Sequence, residues 1–283
     1  MDERSTRWTR RAHALRGYVA AARSRHSSVG LGFDLIERDA TIAGGLLAGA
    51  LAYRLFVLLL PSTLMLVSGL GLYAGTVDKS TTEVAKEAGL HGLIASQVAQ
   101  TASGRARGVV FVLMLPAVLY AAATLYRAMA KVHALAWWGS GRGVRVAPRA
   151  VAVFLVALVV QALAVWLLGW ARHQNLLAGL VGVLGYVALV SAVWLVLSRQ
   201  LPHSHVRWSA LLPGSAVVGV GLLGVNVFNV YVTTRIVEGR ANTYGALGVA
   251  TALLLSLVLV GRLMVTSAEL NAALHERRLR SRG

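Results

Sequence analysis

Six stretches of this chain are apolar over the length that a lipid bilayer demands. A spanning helix needs about 20 mostly apolar residues, because the helical rise is about 1.5 Å and the hydrocarbon core about 30 Å thick. The stretches are 52–74, 108–130, 149–171, 176–198, 209–232 and 245–268. Charged side chains are rare within them and gather in the connectors and at the ends. In lipid the backbone must satisfy its own hydrogen bonds, which leaves helices or closed barrels, and runs of this length select helices. The expected fold is all-α, a polytopic transmembrane helical bundle with six spans across residues 42–271.

Composition agrees with a lipid solvent. Of 283 residues, 57% are hydrophobic and 14% are charged, where a soluble domain carries about 25% charged residues. There is no cysteine, which excludes disulfides, thiolate catalysis and cysteine metal sites. Lys and Arg outnumber Asp and Glu by 28 to 11, for a net charge of +17. Such a charge suits nucleic acid or anionic lipid. The long apolar runs favour lipid, so the expected partners are membrane lipids, with anionic headgroups at the cytoplasmic face and no nucleic acid.

Six spans place both termini on one side, and positive charge says which side. With the termini cytoplasmic, 19 Lys and Arg residues fall inside and 7 outside. The expected location is therefore a bacterial plasma membrane with both ends in the cytoplasm. Residues 1–41 form a basic tail without a signal-peptide core, expected to be retained, and residues 272–283 form a second basic tail. In the first tail Trp8, Ala12, Leu15, Val19 and Ala22 recur at helical spacing between arginines. They suggest either an amphipathic helix on the inner leaflet or a solvated tail. On the outer side, residues 81–102 carry Val84, Leu90, Ile94 and Val98 among polar residues. They suggest an amphipathic extracytoplasmic helix.

The apolar stretch from Ile42 to Ala74 exceeds one bilayer crossing. Either its helix extends into the cytoplasmic interface, or it bends at Pro61. Small residues recur at close helical spacing, as in Gly45 with Gly49, Ser215 with Gly219, and Gly179 with Gly182 and Gly185. These rows permit close helix packing in lipid.

Ionisable residues in spans are expensive and point to function or to a pairing. Arg54, Arg127, Arg262 and Glu269 lie toward the cytoplasmic ends. An arginine there can snorkel, but Glu269 follows a long apolar run and is too short to do so. Arg262, two turns earlier, and Arg54 on the first span are its candidate partners. A structural clamp between the first and last spans is favoured over a transport role. Asn226, Asn229 and Tyr231 stand together at the outer end of the fifth span. They line a polar cavity or bond between helices, with the second preferred. The candidate substrate-binding residues are thus Arg54, Asn226, Asn229, Tyr231 and Glu269.

No catalytic constellation stands out, so enzymatic activity is not expected, and neither is a cofactor. His203 and His205 make a weak metal signal that a surface loop explains better. The glycines 139, 141 and 143 lack the strand that precedes a phosphate-binding loop.

Several motifs in order carry a resemblance. Asp39-Ala-Thr-Ile-Ala-Gly-Gly-Leu-Leu-Ala-Gly-Ala-Leu-Ala-Tyr-Arg, followed by Pro61, opens the first span. Pro213-Gly214 opens the fifth and Tyr231 closes it. Tyr244-Gly245-Ala246-Leu247-Gly248 opens the sixth, and Ala268-Glu269-Leu270-Asn271 ends it. Together these resemble the YihY/BrkB family of bacterial inner-membrane proteins over about residues 30–275. The resemblance implies six transmembrane helices and a role in the bacterial envelope. It suggests movement of a lipid or lipopolysaccharide precursor; the alternative is a non-transporting scaffold that supports envelope integrity. Members once carried a ribonuclease label, for which this chain shows no acidic metal-binding cluster. Arg262 departs from the family pattern, which is less charged there.

Overall fold

A computed structural model describes residues 27–76, 104–141, 144, 147–172, 174–204 and 206–281. The two expected amphipathic helices, in residues 8–22 and 81–102, lie outside the described residues. Among the described residues every element is helical. Helix α1 is Ser27–Ile42, α2 Gly44–Thr76, α3 Gly104–Trp138, α4 Pro148–Arg172 and α5 Leu176–Gln200. A 3₁₀ turn, Trp208–Ala210, leads into α6, Leu212–Phe228; a π-helical segment, Asn229–Thr233, then leads into α7, Thr234–Arg280.

Among the described residues six helices are long and apolar enough to cross a membrane: Gly44–Ala74, Gly108–Trp138, Pro148–Arg172, Leu176–Gln200, Leu212–Tyr231 and Thr251–Arg280. All six expected spans lie on these helices, but the first and last differ in extent. Helix α2 begins at Gly44 rather than residue 52, and it continues through Pro61. Its 33 residues correspond to about 50 Å of helix, so the excess apolar length extends past the bilayer core. Pro61 removes only its own N–H from the ladder. The residues expected as a separate C-terminal tail continue α7 to Arg280.

The helices pack in a ring. Helix α2 lies between α3 and α7, α6 between α7 and α5, and α5 between α6 and α4, while α4 touches α3 lightly and α7 also reaches α3. Helical hydrogen bonding runs nearly unbroken from Leu212 to Arg280. Yet Gly214 bonds to Asn271 and Asn229 to Ser256, so the chain doubles back between residues 229 and 256 and brings α7 antiparallel to α6. The core mixes alanine with large side chains, including Leu51, Leu125, Tyr126, Met129, Phe154 and Trp194. Alanine lets helices approach closely where lipid supplies no hydrophobic drive between them.

Outward faces are as apolar as the core. Leu176 is 89% exposed, and Leu177, Val181, Leu184, Val159, Val112 and Val220 are also exposed. A contiguous apolar surface of this kind is matched by lipid and not by water. Exposed aromatic residues include Trp138 and Trp208 at the end that carries α1 and Tyr73 and Trp170 at the other, where an interfacial belt would sit, and also Tyr53 and Tyr120 within the spans.

The small-residue rows divide. Gly219 packs against Ser191 and the Val187 carbonyl of α5, whereas nothing approaches Gly45 or Gly49 within 4 Å. The first row is a helix contact and the second faces outward.

Candidate functional site at the α1 end of the bundle

The chain between α1 and α2 turns on Ala43, whose φ of 54° is left-handed. That conformation costs a residue with a Cβ roughly 1–2 kcal/mol, so the packing on either side must hold it. The break folds Asp39, at the end of α1, back over Gly44, at the start of α2. A side chain on Gly44 would overlap the Asp39 carboxyl and meet Glu269 Oε1 at 2.9 Å. Glycine here is what allows two carboxyl groups to occupy one place.

Arg262 joins them. Its Nη1 donates to Asp39 Oδ1 at 2.5 Å, and the guanidinium also faces Glu269. This hydrogen bond holds the Asp39 carboxyl below its ordinary value of 3.8, against a smaller opposing effect of burial. Glu269 is 2% exposed. It interacts with Asp39 and Arg262 and more remotely with Arg38, while its Oε1 has no hydrogen-bond partner. Burying a carboxyl oxygen without a partner is costly unless a charge or a proton compensates.

Two further ion pairs tie α1 to α7. Arg38 Nη2 donates to Glu276 Oε1 at 2.5 Å. Arg277 grips Asp34 Oδ2 through Nε at 2.8 Å and Nη2 at 2.6 Å. Three ion pairs along α1 therefore form a latch on the last helix. Each alone is worth little where water reaches it, but together they fix the register of α1.

The same stretch of α7 grips the bundle on its inner side. Asn271 Oδ1 accepts from Gly214 N at 2.8 Å, and Asn271 Nδ2 donates to Leu211 O at 3.3 Å. One buried amide thus caps Gly214 N in the first turn of α6 and adds a donor to Leu211 O, which also accepts from Ser215. Gly214 leaves no room for a side chain, since a Cβ would stand 2.5 Å from both Ser267 O and Asn271 Nδ2. Ser267 Oγ accepts from Trp194 Nε1 at 2.8 Å, which ties α7 to α5.

Beside the latch lies a cavity of about 380 Å³. Asp34, Glu37, Arg38 and Thr41 line it from α1, and Glu276, Arg277 and Arg280 from α7, while Ile42, Leu135 and Ala273 give it an apolar wall. A second recess of about 430 Å³ lies between α4 and α5 and is almost wholly apolar, around Leu168, Trp170, Gly182 and Tyr186.

The five residues singled out in the sequence do not form one site. Glu269 is at the latch. Arg54 stands ten residues beyond Gly44 on α2, about 15 Å along the axis, and Arg262 rather than Arg54 adjoins Glu269. Asn229 accepts from Ser256 Oγ at 2.6 Å, an interhelical bond of the kind preferred above. Asn226 Oδ1 is buried without a partner, and Tyr231 is 61% exposed. Ser256 and Glu269 are 13 residues apart on α7, or about 20 Å. None of the five lines either cavity. The clamp on α7 comes from α1, not from the first span. Asp34, Arg38, Glu276 and Arg277 were not singled out in the sequence, and Asp39 only as the first residue of a motif. Their signal was the clustering of three of the chain's 11 acidic residues, Asp34, Glu37 and Asp39, just before the first apolar run.

Among the described residues no group of three or more His, Asp or Glu side chains is placed to hold a metal ion. His203 instead packs on Trp137 at 6.2 Å.

Six apolar helices, a lipid-like outer surface and a charged latch at one end define a multi-pass helical membrane protein. Within that class the chain belongs to the BrkB family: the pattern of the family "Virulence factor BrkB" matches residues 38–283. The match starts one residue before Asp39. No curated protein and no solved structure matches the chain.

Proposed function

We propose that the protein moves a lipid or other amphipathic envelope component across a bacterial inner membrane, with both termini cytoplasmic. The observation that carries this reading is the cavity at the α1 end. It is lined by Arg38, Arg277 and Arg280 and by Asp34, Glu37 and Glu276, together with the apolar Ile42, Leu135 and Ala273. A lining that is part charged and part apolar suits an amphipathic molecule, with Arg280 beyond the Arg38 and Arg277 ion pairs as the group to attract an anionic headgroup. The excess of Lys and Arg at this end supports a cytoplasmic assignment. No bond-making chemistry enters the reading, and the expected partners are membrane lipids.

The second reading is a non-transporting scaffold. The three ion pairs of the latch favour it, since a static anchor would also tie its first and last helices together.

Reconstitution separates the two. Purified protein in liposomes that contain fluorescent lipid analogues is expected to speed exchange between leaflets, with anionic species favoured. Arg280→Ala is expected to slow the anionic species by roughly threefold to tenfold, the loss of about 1 kcal/mol of headgroup attraction. If no lipid species moves faster than in empty liposomes, transport is wrong and the scaffold stands.

A further inference from the structure

The transport reading leaves open what drives the cycle, and Glu269 supplies a candidate. It is the most deeply buried acidic group among the described residues, at 2% exposure, and its Oε1 has no partner. It faces Asp39, and Gly44 keeps the space between them free of a side chain. The charged groups around it are few. Helix α1 presents Asp39 and Arg38, α7 itself presents Arg262, and α2 presents only Gly44. Arg38 is already engaged by Glu276. One guanidinium, Arg262, therefore serves two carboxyl groups.

We propose that Glu269 is a proton-binding site whose occupancy sets whether α1 is latched to α7. With a proton, Glu269 is neutral and its O–H donates to Asp39, which keeps its ion pair with Arg262; this is the latched arrangement. Without the proton, two carboxylates compete for Arg262 and repel each other across Gly44, and Asp39 is displaced. Only one proton is exchanged, taken from and returned to water. The route is the cavity: Ala273, one helical turn past Glu269, lines it, as do Arg38 and Ile42 on either side of Asp39. Ala43, held in a left-handed conformation at the break between α1 and α2, is the proposed pivot.

This inference rests on the transport reading for its purpose, but not for its test. The chain has no cysteine, so the exposed residues Ile36 and Leu279 can be replaced as Ile36→Cys and Leu279→Cys and spin-labelled in the full-length protein. Electron paramagnetic resonance between about pH 5 and about pH 9 then reads the α1–α7 distance. A single short distance is expected at low pH, with a longer population growing as pH rises, by at most about tenfold per pH unit for one proton. Glu269→Gln, which mimics the neutral acid, is expected to keep the short distance throughout. Infrared difference spectra are expected to show a protonated-carboxyl band that Glu269→Gln removes. A distance that ignores pH in the labelled parent overturns the proposal without recourse to any variant. So does a pH response that Glu269→Gln leaves intact, or one set by Na⁺ instead. If the latch titrates but no lipid moves in liposomes, the transport reading falls and the proton site stands. If lipid moves equally fast with and without a pH gradient in wild type and Glu269→Gln, transport stands and the coupling falls.

Discussion

Gly44 sits where a methyl group would strike the Asp39 carboxyl and crowd Glu269. In an ordinary helix Gly→Ala stabilises by about 0.5–1 kcal/mol. Here Gly44→Ala is expected to destabilise by about 1–3 kcal/mol, the cost of overpacking. Thermal unfolding in detergent measures the sign, and a rise in Tm would contradict the packing described. Asp39 makes a prediction of a different kind. Its folded-state value lies below 3.8, so its contribution to stability is complete above that value and is lost as pH falls through the lower, folded-state one. Asp39→Asn is expected to cost about 1 kcal/mol or less near neutral pH, because the pair is partly exposed. The gap from wild type should close as pH drops below about 3.8. Glu269 was legible in the sequence because a lone acid after an apolar run is conspicuous. Its neighbour was not, since Asp39 lies far away in the chain and sits outside any span.

Between elements, single polar side chains add specific joints to the apolar packing. Asn271 accepts from Gly214 N and donates to Leu211 O at the start of α6, where Leu211 O also accepts from Ser215 N and Ser215 Oγ. Asn271→Ala is expected to cost about 1–3 kcal/mol, the penalty of leaving the buried Gly214 N unpaired, since Leu211 O keeps Ser215 N. Asn271→Asp restores an acceptor for Gly214 N and should recover part of that loss, which the unfolding temperatures of the two variants test. The spans themselves were legible, because twenty apolar residues admit few alternatives. The start of α2 was not. The left-handed residue at the break is Ala43, although two glycines follow it directly, so local propensity points one residue too far along. Pro61 does not end the helix, because a long helix absorbs the loss of one hydrogen bond. Ser215 with Gly219 and Gly45 with Gly49 read alike as small-residue rows. Only the neighbours that the fold supplies tell a helix contact from an outward face.

At the level of the whole molecule, the proposed orientation can be tested directly because the chain has no cysteine. A single Ser281→Cys is expected to react with a membrane-impermeant maleimide only after the membrane is opened from the cytoplasmic side. Labelling of intact cells would reverse the topology. The family pattern and the six apolar runs make the architecture readable from sequence, while the α1–α7 latch escapes any local reading. Its partners are separated by 223, 238 and 243 residues. That separation has a consequence in time. Chains grow at roughly 5–20 residues per second, so α1 leaves the ribosome tens of seconds before Arg262, Glu276 and Arg277 exist. Until then its acids and arginine have no counterparts on α7, and the left-handed turn at Ala43 has nothing to hold it. The latch is therefore the last joint to close during biogenesis. A chain cut short anywhere before residue 262 would enter the membrane with its first helix undocked from α7.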